Sequence, residues 1–234
     1  MIDVRRSGDR YRGGDPEAGI TTRHAFSFGA FYDPDNIRFG PVLACNEEHL
    51  APGAGFDEHP HSHTEIVTWV VEGELTHRDS TGQATVLRPG DLQRLSSASG
   101  VRHAERNEGT APLRFVQMWL APLEPGGDPS YEVVRALSGS GGGTDTGGAY
   151  PLPAAGAVLR VLRPAAGERV PVPAAARVYA HVVRGELLPE GPGAAPVGDG
   201  GGPLGPGDAA RFTGPEGWAL RAVTPGELLL WELP

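Results

Sequence analysis

Apolar residues in this chain come in short runs closed by Gly, Pro and Asp, a pattern of strands and tight turns rather than helices. "IVTWVVEGELTHRD" (66 to 79) has strand composition broken at Glu72-Gly73, which predicts a hairpin-like turn. "ATVLRPGDLQRLSS" repeats the arrangement around Pro89-Gly90-Asp91. "PLRFVQMWLAP" (112 to 122) alternates between prolines and reads as a strand. One helix is predicted, around "PSYEVVRAL" (129 to 137). The Gly-rich "SGSGGGTDTGGAYP" (138 to 151) buries no apolar area and reads as a flexible linker.

Beyond that linker the pattern returns. "RVYAHVVRGELLPE" (177 to 190) lines up with residues 66 to 79, and Gly185 falls on Gly73. Pro206-Gly207-Asp208 repeats Pro89-Gly90-Asp91, and "GWAL" (217 to 220) falls on "GVRH" (100 to 103). The chain is an internal duplication of two all-β units. Strand count and turn spacing suit a small double-sheet jelly roll of the cupin type, twice over. The expected organisation is an N-terminal domain at 1–122, a connecting segment at 123–150 and a degenerate C-terminal copy at 151–234.

Composition supports this and narrows the function. The 35 Gly and 23 Pro make about a quarter of the chain turn chemistry. A net charge of -9 repels phosphate, so nucleic-acid binding is not expected. A single cysteine, Cys45, permits no intramolecular disulfide, and the N-terminus lacks an apolar signal region. No run approaches membrane-spanning length; a cytoplasmic monomer is the expectation.

"DEHPHSHTEIVTWV" (57 to 70) places His59, His61 and His63 at alternate positions, with Glu65 two further on. On a strand, residues i and i+2 face one side with Cα atoms roughly 6.5 Å apart. Two imidazoles so placed can converge on one ion at about 2.0–2.2 Å per bond. "GVRHAERN" supplies a third histidine from another strand, His103, with Glu105 at i+2. Three histidines and a carboxylate suit Fe(II), Mn(II), Zn(II) and similar ions. The duplicate acts as an internal control. In register, Pro171, Pro173 and Arg177 stand for His59, His61 and Glu65, and Leu220 and Ala222 stand for His103 and Glu105. Every candidate ligand is lost from the second copy, as a function confined to the first would require.

Spacing leaves Glu65 and Glu105 in competition for the fourth ligand. Ser62-His63-Thr64 can turn before the strand resumes, which puts His63 at a pocket rim or on the surface. His77, beside Arg78 and Asp79, reads as solvated; His24, His49 and His181 are isolated and receive no role. Phe56, Val67, Trp69 and Phe115 are candidates for an apolar pocket wall or for barrel core.

Two motifs in these segments resemble those of the cupin superfamily. The first is Gly53, five residues, His59-x-His61, three residues, Glu65, then Gly73. The second is Pro89-x-Asp91, then Gly100-x-x-His103-x-x-x-Asn107. Within cupins, residues 23 to 82, "RPGDLQRLSSASGVRHAERN" and "FVQMWL" resemble the pirin family. The resemblance is specific over residues 1 to 122 and looser beyond. It implies a bicupin with one divalent metal, on His59, His61, His103 and Glu105. Fe(II) is the first expectation, with Zn, Mn, Ni, Co and Cu as alternatives. It also implies cleavage of flavonols such as quercetin with O2, Glu105 serving as base as well as, or instead of, ligand. Other pirin-like proteins resemble metal-dependent regulators that bind protein partners, which is the alternative reading. The sequence departs from the family pattern at His63, where Gly or Asp is more common, at Arg94 and at Ala98. His63 and Arg94 would add polarity to a pocket entrance.

Overall fold

A computed structural model describes residues 1–137, 148–192 and 202–234. It is built of antiparallel strands, and the described residues contain only three short 3-10 turns and no α-helix. No described helix is long and apolar enough to cross a membrane. The chain forms two compact units: Tyr11–Leu137, and Met1–Arg10 with the C-terminal half.

In the first unit a seven-stranded sheet runs in the order Ser130–Val134, Leu92–Ser96, Glu65–Glu72, Leu113–Leu120, Val42–Leu50, Ile20–His24 and Tyr11–Asp15. A four-stranded sheet runs Gly55–His61, Val101–Arg106, Leu75–Asp79, Ala84–Leu87. They share one core. Ile20, Leu50, Val70, Leu113 and Phe115 from the large sheet pack with Leu75 and Leu87 from the small one. This is the double-sheet cupin arrangement.

The turn at Glu72-Gly73 is not a hairpin. Glu65–Glu72 lies in the large sheet and Leu75–Asp79 in the small one, so the chain turns a corner between sheets. Pro89-Gly90-Asp91 does the same between Ala84–Leu87 and Leu92–Ser96. Alternation within each run is right, but which sheet a strand joins is set by partners far along the chain.

The helix predicted at 129–137 is replaced by the strand Ser130–Val134, which pairs with Leu92–Ser96. β-branched Val133 and Val134 favour extended backbone, and Tyr131 packs on Ile66, Leu95 and Val101. Asp91 anchors the residues after this strand, accepting from the Ala136 amide and from Arg135. The segment expected to connect two domains therefore belongs partly to the first sheet. Of the Gly-rich stretch, residues 138–147 lie outside the described residues, and 148 to 151 enter the strand Gly148–Leu152.

The second unit repeats the plan, with a six-stranded and a three-stranded sheet. The N-terminal strand Ile2–Arg5 pairs here with Ala209–Thr213, and Ile2 and Val4 pack against this unit's core. The duplication shows in backbone detail. Gly73 and Gly185 have φ of 75° and 79°, and a Cβ on either would collide with a proline carbonyl oxygen, that of Pro112 or of Pro225. Gly90 and Gly207 donate to the Val70 and Val182 carbonyls in turn.

The register of the second copy is corrected by strand pairing. Glu105 faces His77, and Leu220 faces Pro189, which corresponds to His77 after the matched glycine turns. Asn107 and Ala222 hold equivalent positions, each bonded to the loop before the first motif. Leu220 therefore stands at Glu105, Trp218 at His103, and Val172, bonded to Trp218, at His59. All three belong to that unit's apolar core, so the candidate ligands are absent under this register too.

Two family departures explain themselves in the backbone. His63 and Ala98 have φ of 56° and 42°, and the His63 amide donates to the Ala98 carbonyl. The left-handed conformation there is one that glycine adopts freely.

Candidate metal centre

His59 and His61 project from one side of Gly55–His61, and His103 stands directly across from His59 on Val101–Arg106. The three ring centroids lie 4.5, 4.8 and 4.9 Å apart, and one nitrogen from each falls within 4.8 Å of the others. His59 Nδ1 lies 2.7 Å from the Asp57 carbonyl oxygen, so Nδ1–H donates there and Nε2 is the nitrogen available to an ion. His61 Nε2 and both nitrogens of His103 are buried with no hydrogen-bond partner. Burial and the neighbouring His103 and His59 lower His61 to about 4, and burial lowers His103 as well. Converging imidazole nitrogens, those of His61 and His103 buried without a partner, are what a borderline divalent ion requires, so the donor set fits one.

Glu105 is buried, and its carboxylate is gripped from the facing sheet. Gln117 Nε2 donates to Oε2 at 2.7 Å and Gln93 Nε2 approaches Oε1 at 3.4 Å. The amide oxygens are fixed in turn by Trp119 Nε1 and the Tyr131 hydroxyl, each at 3.0 Å. Glu105 shares a second 4.8 Å cluster with His77 and His103. His77 is thus not solvated: it is fully buried, with Nε2 3.0 Å from Asp79 Oδ2 and its ring stacked on Tyr131. Glu65 is in neither cluster; it accepts from Ser96 Oγ at 2.6 Å, with Arg94 3.6 Å away.

A cavity of about 610 Å³ reaches His59, His61 and Glu105. Phe56 lines it as expected, but Val67, Trp69 and Phe115 are fully buried core. Its remaining aromatic wall is Phe28, Phe31 and Trp119, and its polar wall includes Thr22, His24, Asn46, Glu48 and Gln117. Neither His63 nor Arg94 lines it; Arg94 bonds Ser130 instead. The polar wall follows from register. His24, Asn46, Gln117, Thr68 and Gln93 are successive cross-strand partners on one face of the large sheet. A polar side chain at a core-facing position in each of several apolar strands was the available signal.

Glu48 is 4 % exposed and accepts from the Thr22 hydroxyl. Burial pushes its carboxyl up to about 8; Thr22 pulls it down, the charge of Glu105 pushes it further up, and Asn46 pulls it down. A carboxyl raised in the folded state binds its proton more tightly there than in the unfolded chain. Its stabilisation is complete below the ordinary value of 4.5 and is lost as pH rises through about 8. The lowered His61 and His103 act in the opposite sense and only below their ordinary 6.5. Metal-free protein should therefore lose stability between about pH 6.5 and 8 in urea unfolding, and Glu48→Gln should be flatter across that window. Parallel slopes would mean that Glu48 is already ionised.

Fold and donor set together define a bicupin with a candidate divalent-metal centre in its first unit. The pirin family model matches residues 5–120, and the chain belongs to the pirin family. It is 38 % identical over 242 residues to a Mycobacterium tuberculosis protein named "Putative quercetin 2,3-dioxygenase", covering 99 % of this chain and 95 % of that one. An Escherichia coli K12 protein named "Quercetin 2,3-dioxygenase" is 36 % identical over 136 residues, 58 % of each chain. The crystal structure of the bacterial pirin YhhW from Escherichia coli in complex with nickel(II) superposes with a TM-score of 0.86 at 26 % identity, over 100 % of this chain and 99 % of that one.

Proposed function

We propose that the protein is a metal-dependent dioxygenase that cleaves flavonol-type substrates, quercetin being the model, with O2 and release of carbon monoxide. His59, His61, His103 and Glu105 would hold the ion, and Fe(II) is the first candidate. The observation that carries this reading is the aromatic-walled cavity of about 610 Å³ that reaches the histidines. Its size is that of a small-molecule site, roughly 300–1,000 Å³. A regulator that only senses metal has no need of such access; the cavity favours the enzyme over a protein-binding module.

When bound, the divalent ion supplies Lewis-acid stabilisation of developing negative charge. The chain does the rest. Phe28, Phe31, Phe56 and Trp119 accept a planar aromatic ligand and exclude water from the cavity. Glu105 takes the proton of the flavonol 3-hydroxyl. Gln93 and Gln117 fix the carboxylate for that transfer.

Anaerobic loading with Fe(II), then addition of quercetin and O2, tests the reading. Metal-dependent O2 uptake with carbon monoxide release is expected, and Glu105→Gln should lower the rate by about 10²–10⁴-fold. Metal-loaded wild type that consumes no O2 would overturn the dioxygenase assignment.

A further inference from the structure

We infer that Glu48 is a specificity-determining residue: a protonated carboxyl on the cavity wall that donates a hydrogen bond to an acceptor oxygen of the aromatic substrate. This rests on the flavonol reading above and assigns the cavity a second anchor, separate from the candidate metal ligands.

Glu48 lies on Val42–Leu50, cross-strand from Thr22 and Phe115. It is buried yet lines the cavity that contains His59, His61 and Glu105. Its hydrogen-bond partners are neutral, Thr22 and Asn46. Among the described residues it has no ion-pair partner. A carboxyl so buried, with only neutral hydrogen-bond partners, keeps its proton. Burial of such a group costs free energy that an apolar residue at the same place would spare. With Thr22 and Asn46 as donors, the Glu48 O–H is free to point into the cavity, where an acceptor can stand.

The two carboxyl groups then divide the work. Glu105, held by two amide donors, accepts from the ligand, and Glu48 donates to it. A planar ligand with an ionisable hydroxyl and a second, acceptor oxygen satisfies both. A plain hydrocarbon leaves the Glu48 O–H unpaired.

The test is an anaerobic titration of the Fe(II)-loaded protein with quercetin, followed by tryptophan quenching, since Trp119 lines the cavity. Wild type, Glu48→Gln, Glu48→Ala and Glu48→Leu are compared at equal metal content, with melting curves for each. Glu48→Ala and Glu48→Leu should weaken binding about tenfold, the worth of one hydrogen bond. Glu48→Gln keeps an N–H donor and should stay within about threefold of wild type. Glu48→Leu preserves bulk, so it reports on the hydrogen bond even if Glu48→Ala unfolds. Unchanged affinity in Glu48→Leu would overturn the proposal. So would a Glu48→Gln as weak as Glu48→Leu, since the residue would then act as an anion. A metal-loaded wild type that does not bind quercetin would overturn the flavonol reading and this inference with it.

Discussion

His103→Ala is expected to abolish stoichiometric binding of a divalent ion. His103 is the one residue common to both candidate clusters, and it brings the second strand to the site, directly opposite His59. Without it His59 and His61 remain as a pair on one strand, and Glu105, which clusters with His103 and His77 but not with that pair, is no longer joined to them through His103. Loss of an outer hydrogen-bond partner costs about 10–100-fold in metal affinity, and loss of the residue that closes the cluster should exceed that. The metal-free variant should fold as well as wild type or better, because two buried ring nitrogens without partners are removed. Isothermal titration with Fe(II) under nitrogen, alongside a melting curve, measures both effects. Wild-type affinity in His103→Ala would place the ion elsewhere.

Gly73→Ala should destabilise the first unit by about 3 kcal/mol, from left-handed strain of about 1–2 kcal/mol and a backbone clash that cannot relax cheaply. The added Cβ would sit 2.5 Å from the Pro112 carbonyl oxygen and 2.8 Å from Leu113 Cα, in a corner where the chain passes between sheets. Gly53→Ala is the control: its φ of 80° is similar, but nothing lies within 4 Å of its Cβ position. That variant should lose only the conformational part, about 1–2 kcal/mol. The difference in urea midpoint between the two isolates the close approach. Equal losses would mean that the corner is free to open. Gly185→Ala should behave like Gly73→Ala in the second unit, with the clash there against the Pro225 carbonyl oxygen.

The strand-rich architecture, the duplication and the candidate histidines are legible in the residue pattern alone. These are local properties: alternation has period two, a His-x-His pair shares a strand face, and a turn that needs positive φ is written as glycine. The repeat also exposed the loss of the ligand set from the second copy, because Gly185-Glu186-Leu187 repeats Gly73-Glu74-Leu75. What the sequence left open depends on partners distant along the chain. Glu72-Gly73 looks like a hairpin because a short turn says nothing about which sheet receives the next strand. Ser130–Val134 is a strand because Leu92–Ser96 offers it an edge. The register of the second copy shifts by two residues at Trp218 and Leu220, a change that strand pairing reveals and residue matching hides. His77 beside Arg78 and Asp79 appears hydrated, yet its ring turns inward while Arg78 pairs with Glu108 at the surface. The cavity wall was hidden most thoroughly, since Phe28 and Phe31 lie outside the named strands and Asn46, Gln93 and Gln117 are scattered over three strands. Only cross-strand register aligns those polar residues into one row, and only the packing of one sheet on the other turns that row toward Glu105.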